Sequence, residues 1–207
     1  MNFPLIDQSY EAEAVILADG DFPTHEIPCA LLHNAKYVCC CDGAARHYPQ
    51  ADAIVGDGDS VPESLRHRLI RVEEQADNDL TKATRHCMRQ GYRHIVYLGA
   101  SGKREDHTLG NISLLMRYKQ EWGLNVLMAT DHGWLIPMEG DCELETFPRQ
   151  QVSIFNFGCT RLTGEGLRWQ PYAYENLWQG TLNEALGNRI SIHGNAYFMV
   201  FRTYGPK

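Results

Sequence analysis

The stretch "AIVGDGDSVP" (residues 53–62) starts as a short apolar run and ends on two aspartates, Asp57 and Asp59, with one glycine between them. The apolar part reads as a buried strand. Two like charges that close repel, and each raises the other's pKa unless a cation sits between them. The stretch therefore asks for a cation, and for something the cation holds.

Working outward from that strand ("DAIV", 52–55), "AVILA" (14–18), "KYVCCC" (36–41), "HIVYL" (94–98) and "NVLMA" (125–129) read as further strands. Between them lie segments of helical period. "HEIPCALLHNA" (25–35) reads as a helix interrupted by Pro28, and a second helix is expected around "PESLRHRL" (62–69). "NDLTKATRHCMRQ" (78–90) puts Leu80, Ala83, Thr84 and Cys87 on one face, and "DHTLGNISLLMRYK" (106–119) spaces Leu109, Ile112 and Leu115 as a helix does. Strands alternating with such helices imply a parallel sheet with helices on its faces. After about residue 131 the pattern changes to "WLIPM", "CELETF", "QVSIFNF", "RISIHG" and "YFMVFRTY", short and separated by turns. The expected fold is α/β: a Rossmann-like, three-layer parallel-sheet domain over residues 1–132, then a small antiparallel β-sandwich domain over 133–207.

Composition narrows the function. With 207 residues, 43% hydrophobic and 22% charged, the chain has the make-up of a globular protein. A net charge of −7 speaks against a nonspecific nucleic-acid binder, which needs a basic face. The start, "MNFPLIDQSYEAEAV", has neither the basic nor the apolar region of a secretory leader. No run reaches the roughly 18 apolar residues of a membrane helix. Seven cysteines, three of them adjacent at Cys39–Cys41 and none in a C-x-x-C pair, read as buried thiols in a reducing cytoplasm.

The chemistry gathers just beyond strand ends. Asp42 follows "YVCCC", Asp57 and Asp59 follow "AIV", and "GASGKRED" (99–106) follows "HIVYL". Ligands of open α/β sheets bind outside the carboxyl ends of strands, at a switch in strand order, so these clusters can converge. Each has a plainer reading. Asp42-Gly43 and Asp57-Gly58 suit tight turns, and Asp59 and Asp79 suit helix caps. Turn chemistry does not, however, require all four aspartates to fall on one sheet edge. Hard carboxylate oxygens suit Mg²⁺, which bridges carboxylates to phosphates. In "LGASGKRED" the glycines let backbone N–H groups approach phosphate, and Lys103 and Arg104 can neutralise its oxygens. The loop is neither a Walker motif nor G-x-G-x-x-G, so alone it also reads as a glycine loop with solvated bases.

Taken in order, "CDGAARHY" (41–48), "VGDGDS" (55–60), "EQADNDLTKA" (74–83) and "GASGKREDHTLGNI" (99–112) resemble the motifs of the thiamine pyrophosphokinases. The resemblance covers the α/β part well and the β-rich tail more loosely. It implies transfer of a pyrophosphoryl group from ATP to the hydroxyl of thiamine, giving thiamine diphosphate and AMP with Mg²⁺. By position, Asp42, Asp57, Asp59 and Asp79 match the acidic metal set, with Asp59, Asp79 and Asp106 as candidate catalytic groups. Gln75, Asn78, Lys82, Gly102 and Arg104 match positions toward nucleotide and phosphate, and His107, alone of the nine histidines, matches one beside the acceptor. In the tail, Trp169 (or Trp178) offers a face for the thiazolium cation, and Thr181 and Asn183 in "GTLNEALGN" resemble a thiamine-contacting region. Tryptophan in a small β domain is more often core. The resemblance also implies a homodimer whose sites are shared between subunits; with the cysteine usage, charge and hydropathy above, the expectation is a cytoplasmic protein with no nucleic-acid or membrane partner.

Three departures stand out: Gly58 where Phe or Leu is usual, Lys103 where Gly is usual, and Asn78 where Thr is common. None removes a ligand. Two other readings keep the fold. One is a non-catalytic nucleotide-binding sensor; the other is a pyrophosphokinase acting on another hydroxyl-bearing heterocycle. So full an acidic set argues against the sensor.

Overall fold

Apolar runs free of polar interruption make strands covered on both faces, the kind that builds parallel sheets. After a two-residue strand β1 (Asn2–Phe3), the chain lays down β2 (Ala14–Leu17), β3 (Val38–Cys41) and β4 (Ala53–Gly56), each buried from end to end. With β5 (Leu69–Arg71), β6 (His94–Leu98) and β7 (Asn125–Thr130), they form a parallel sheet in the order β7-β6-β2-β3-β4-β5. These elements belong to a computed structural model that describes residues 2–74 and 76–206. The chain is a mixed α/β protein of two units, one of Gln8–Asp131 and one of Met1–Asp7 with His132–Lys207. Among the described residues no helix is long and apolar enough to cross a membrane.

In the first unit the helices depart from expectation in instructive ways. Helix α1 (Glu26–His33) is not interrupted by Pro28, which falls in its first turn, where no backbone donor is needed. The segment expected as a helix over 62–69 is a 3₁₀ helix, Glu63–Arg68, with no buried residue, and it runs into β5. Its charged sequence supplies no apolar stripe to hold a longer helix. Helix α2 (Asp79–Arg89) buries Leu80, Ala83, Thr84 and Cys87 as its period predicts. Helix α3 (Glu105–Trp122) buries Leu115, Met116 and Tyr118, whereas Leu109 is 64% exposed, so its covered face is confined to its later turns. All seven cysteines are free thiols, and all but Cys29 are buried.

In the second unit, β8 (Gly133–Glu145), β9 (Gln150–Phe157), β10 (Leu162–Glu165), β11 (Asn183–Glu184) and β12 (Arg189–Pro206) pair antiparallel. "WLIPM" and "CELETF" form one strand rather than two, and so do "RISIHG" and "YFMVFRTY". A bulge between His193 and Tyr197 breaks the β12–β8 register. Before it β12 also pairs with β10, and beyond it with β9. Bulges bend strands, so one long strand serves two neighbours. The residues before Asp7 belong here too, because β1 pairs parallel with β8. Arg202, 1% exposed, donates to the carbonyls of Glu145 and Pro4 at 2.5 and 3.0 Å and lies 4.9 Å from the Trp134 ring. Burial pushes its pKa down to about 9, which leaves it charged at neutral pH. A charged donor on two carbonyls and an aromatic face fastens the N-terminal segment.

The first unit is fastened by Asp131, just past β7. Its carboxylate accepts the backbone N–H of Thr24 and of His25, each at 2.9 Å, and the Thr24 hydroxyl at 2.5 Å, at the start of α1. Desolvation pushes its pKa up, but the hydrogen bonds from His25 and Thr24 outweigh this and bring it below the usual carboxylate range. Asp131→Asn is expected to cost about 1 kcal/mol at pH 7. A depressed folded pKa contributes stability that is complete above the unfolded value of about 4 and is lost as pH falls through the folded one. Urea titrations of wild type and variant should therefore differ at pH 7 and converge at about pH 2. An undiminished gap in acid contradicts the assignment.

Candidate active site

The parallel sheet reverses direction of growth once. From β2 the chain adds β3, β4 and β5 on one side, then returns to place β6 and β7 on the other. The switch lies between β2 and β6, where such sheets open a ligand crevice. A cavity of about 370 Å³ sits there, lined by the ends of β2, β3 and β6 and the starts of α2 and α3. Its floor is laced across the switch: Gly20 N–H donates to the Gly99 carbonyl at 2.7 Å and Asp21 N–H to that of Ser101 at 2.9 Å.

One wall is acidic. Asp42 follows β3, is buried, and holds φ = +34°, a conformation that costs a non-glycine residue about 1 kcal/mol or more. Its Oδ1 accepts Gly58 N–H at 3.0 Å and its Oδ2 accepts Ser60 N–H at 2.9 Å, so the carboxylate winds the loop after β4 around itself. Gly56 permits this approach, since a Cβ there would lie 2.8 Å from that of Asp42. Asp57 accepts Asp59 N–H at 3.2 Å. Asp79 opens α2 because Asn78, not Asp79, is the cap: Asn78 Oδ1 accepts the Thr81 N–H at 3.0 Å. One carboxylate oxygen each of Asp42, Asp57 and Asp79 lies within 4.8 Å of the others. Burial pushes the Asp42 carboxyl above the usual range; Asp79 and Asp57 add to the rise, and the Ser60 and Gly58 N–H groups oppose it.

The other expected residues divide. Asn78, Gly102, Arg104 and His107 line the cavity. Asp59 is exposed and stands outside the three-carboxylate group. Lys82, expected at phosphate, is instead buried behind Asp79, its Nζ 3.0 Å from Oδ1. Arg104 and Asp106 form a two-pronged pair at 3.1 and 2.5 Å, both exposed; the bond raises the pKa of the arginine and lowers that of the aspartate. Gln75 lies outside the described residues. One cavity residue escaped the sequence reading altogether: Asp19, past β2, with Lys103, Arg46 and His47 around it. Its signal was present in "AVILADGD", the same Asp-Gly after an apolar run as at Asp42 and Asp57.

The second unit has a cavity of its own, about 290 Å³, lined by Trp169, Tyr172, Tyr174, Thr181, Leu182 and Asn183. Trp169 is 55% exposed, not core, with the Arg168 guanidinium 5.0 Å from its ring centre. Asn183 is buried, and its amide brackets the Trp169 backbone: Oδ1 accepts the N–H at 3.1 Å and Nδ2 donates to the carbonyl at 2.7 Å. It therefore positions the tryptophan while itself lining the cavity. The Thr181 hydroxyl donates to the Trp178 carbonyl at 2.8 Å, and Trp178 itself is 74% exposed.

Residues 29–128 match the family described as "Thiamin pyrophosphokinase, catalytic domain", and residues 133–201 that described as "Thiamin pyrophosphokinase, substrate-binding domain". The chain is 25% identical over 131 residues to Thiamin pyrophosphokinase 1 of Caenorhabditis elegans, a stretch that is 56% of this chain and 54% of the relative. The chain thus spans about half the length of that curated relative. Its structure is similar to that of Thiamin pyrophosphokinase from Candida albicans, with a TM-score of 0.80 at 16% identity over 98% of this chain and 92% of that one. For a Thiamin pyrophosphokinase family protein of Enterococcus faecalis, the score is 0.77 at 17% identity, over 94% and 100%. At such identities these two likenesses speak for the fold.

The crowded carboxylates make a stability prediction. Asp57→Asn keeps the side-chain acceptor for Asp59 N–H and removes one of three mutually repelling charges, worth on the order of 1 kcal/mol at a half-buried site. In buffer free of divalent ions the variant should melt a few degrees above wild type in calorimetry. A lower melting temperature contradicts the repulsion.

Proposed function

The chain belongs to the thiamin pyrophosphokinase family, and from that premise we propose that it transfers a pyrophosphoryl group from ATP to the hydroxyl of thiamine, releasing AMP. The observation that carries the reading is one switch-point cavity lined by Asp42 and Asp79, whose carboxylates converge with that of Asp57, and by Lys103 and Arg104. A polyanion with a hard cation answers both walls at once.

The trio fits Mg²⁺: its donors are all carboxylate oxygens, gathered within 4.8 Å despite their repulsion. Asp42, Asp57 and Asp79 would hold the ion, which when bound neutralises phosphate charge. The protein's own groups do the rest. Lys82 fixes Asp79 from behind, and Asp106 keeps the Arg104 guanidinium extended at the cavity edge until phosphate competes for it. The thiamine hydroxyl oxygen attacks the β-phosphorus, and AMP leaves with the electrons of the α–β bridging bond. Asp59, next to the trio yet outside it, is assigned to accept the hydroxyl proton, since a carboxylate committed to metal is a poor base. Positioning and charge neutralisation supply most of such catalysis.

Thiamine is assigned to the aromatic cavity of the second unit. The exposed Trp169 ring suits a thiazolium cation, a contact worth about 0.5–2 kcal/mol. These roles for the two units, a Rossmann-like three-layer packing in the first and a sandwich in the second belong to the same proposal; the boundary expected at 132/133 shifts only in that Met1–Asp7 and His132 go with the second unit. So do a homodimer with shared sites and a cytoplasmic location.

Incubation with ATP, Mg²⁺ and thiamine, followed by chromatography of the adenine products, tests the reading. AMP is expected in step with thiamine diphosphate, and Asp57→Asn is expected to lower kcat at least ~10³-fold with its fold retained. ADP as product contradicts pyrophosphoryl transfer. Nucleotide binding with no thiamine-dependent product contradicts thiamine as acceptor and favours the sensor or another heterocycle.

A further inference from the structure

Asp19 sits at the centre of the switch, where the ends of three adjacent strands meet. From the β6 side, Lys103 Nζ donates to the Asp19 carbonyl at 2.6 Å and lies 3.3 Å from Oδ1. From the β3 side, Arg46 Nη2 lies 3.4 Å from Oδ2 and His47 Nε2 lies 3.9 Å from Oδ1. Arg46 is itself held, its Nε donating to the Gly43 carbonyl at 2.8 Å. Gly43 makes room for the meeting: a Cβ there would lie 2.5 Å from Arg46 Nη2 and 2.7 Å from Asp19 Oδ2. One carboxylate thus gathers two permanent cations.

Lys103 occupies its place at a cost. Its φ is +57°, in the left-handed region where glycine sits freely and a side chain is strained. Its side chain lines the cavity and is half exposed, so burial of its stem does not repay that strain. The charge on Nζ is what glycine would not supply. We infer that Lys103 binds the polyphosphate of the nucleotide donor and that Asp19 is the positioning residue that aims it. The inference rests on the nucleotide reading above and extends it to a pair of residues. Phosphate oxygens take the third hydrogen of Nζ while the Asp19 carboxylate and carbonyl hold the other two and keep the lysine aimed.

The test is calorimetric titration with α,β-methylene ATP, whose bridging carbon resists the transfer, and with AMP, in Mg²⁺ buffer. Lys103→Gly should melt no lower than wild type, because the strain is relieved, and should bind α,β-methylene ATP about 10-fold or more weakly with AMP unchanged. Lys103→Met should show the same loss of affinity. Asp19→Asn should weaken the same ligand about 3–10-fold and raise KM for ATP without raising KM for thiamine. In the Lys103→Met background it should add nothing. A Lys103→Gly variant that melts lower and binds as tightly as wild type overturns the inference, and the pair is then a structural brace. Additive losses in the double variant overturn the positioning role of Asp19. Wild type that binds neither ligand overturns the nucleotide reading itself. Wild type that binds and yields AMP, with variants equally tight, overturns this inference alone.

Discussion

Three carboxylates within 4.8 Å of one another repel, and much of the first unit is arranged to hold them there. Asp42 spends both oxygens on the Gly58 and Ser60 N–H groups, in a strained backbone conformation and against a glycine that leaves it room. Asp79 is set at the first turn of α2 by the Asn78 cap and restrained by a buried lysine. Removing any of these supports lets the charges separate. A fold selected for stability alone would not gather them, and the proposed cation is what their gathering would serve.

Topology supplies the opposite pole. Because β6 returns to the far side of β2, the basic loop after β6 faces the acidic loops after β3 and β4 across one cavity. Asp19 stands at that seam and keeps Arg46 and Lys103 near it. The second unit answers a different need, with an exposed tryptophan whose backbone is locked by a buried asparagine. A charged cavity and an aromatic one match the two chemical halves of the proposed reaction, a polyphosphate donor and a flat, cationic acceptor.

The acidic trio was legible because each member ends an apolar run or opens a periodic helix, and those signals are local. Asp19 shows the same Asp-Gly signal but has no partner nearby in sequence; its importance appears only when β6 comes to lie beside β2. The burial of Lys82 was not legible because lysine is usually solvated, although its i,i+3 spacing from Asp79 on α2 is a local sign of the pair. The hold of Asn183 on Trp169, fourteen residues earlier, left no local trace. The 3₁₀ segment at Glu63–Arg68 and the exposed Leu109 follow from packing, which overrides period in weakly patterned helices. The pairing of β1 with β8 spans about 140 residues and leaves no local trace.

The claim at the centre of this account is that the trio and the basic wall act together on one metal–nucleotide ligand. Titration with Mn²⁺, followed by the loss of its free-ion electron paramagnetic resonance signal, tests that directly. The account predicts that α,β-methylene ATP tightens Mn²⁺ binding to the protein beyond what the nucleotide achieves in solution, and that Asp79→Asn abolishes the gain. Mn²⁺ binding indifferent to the nucleotide, or undiminished in that variant, would contradict it.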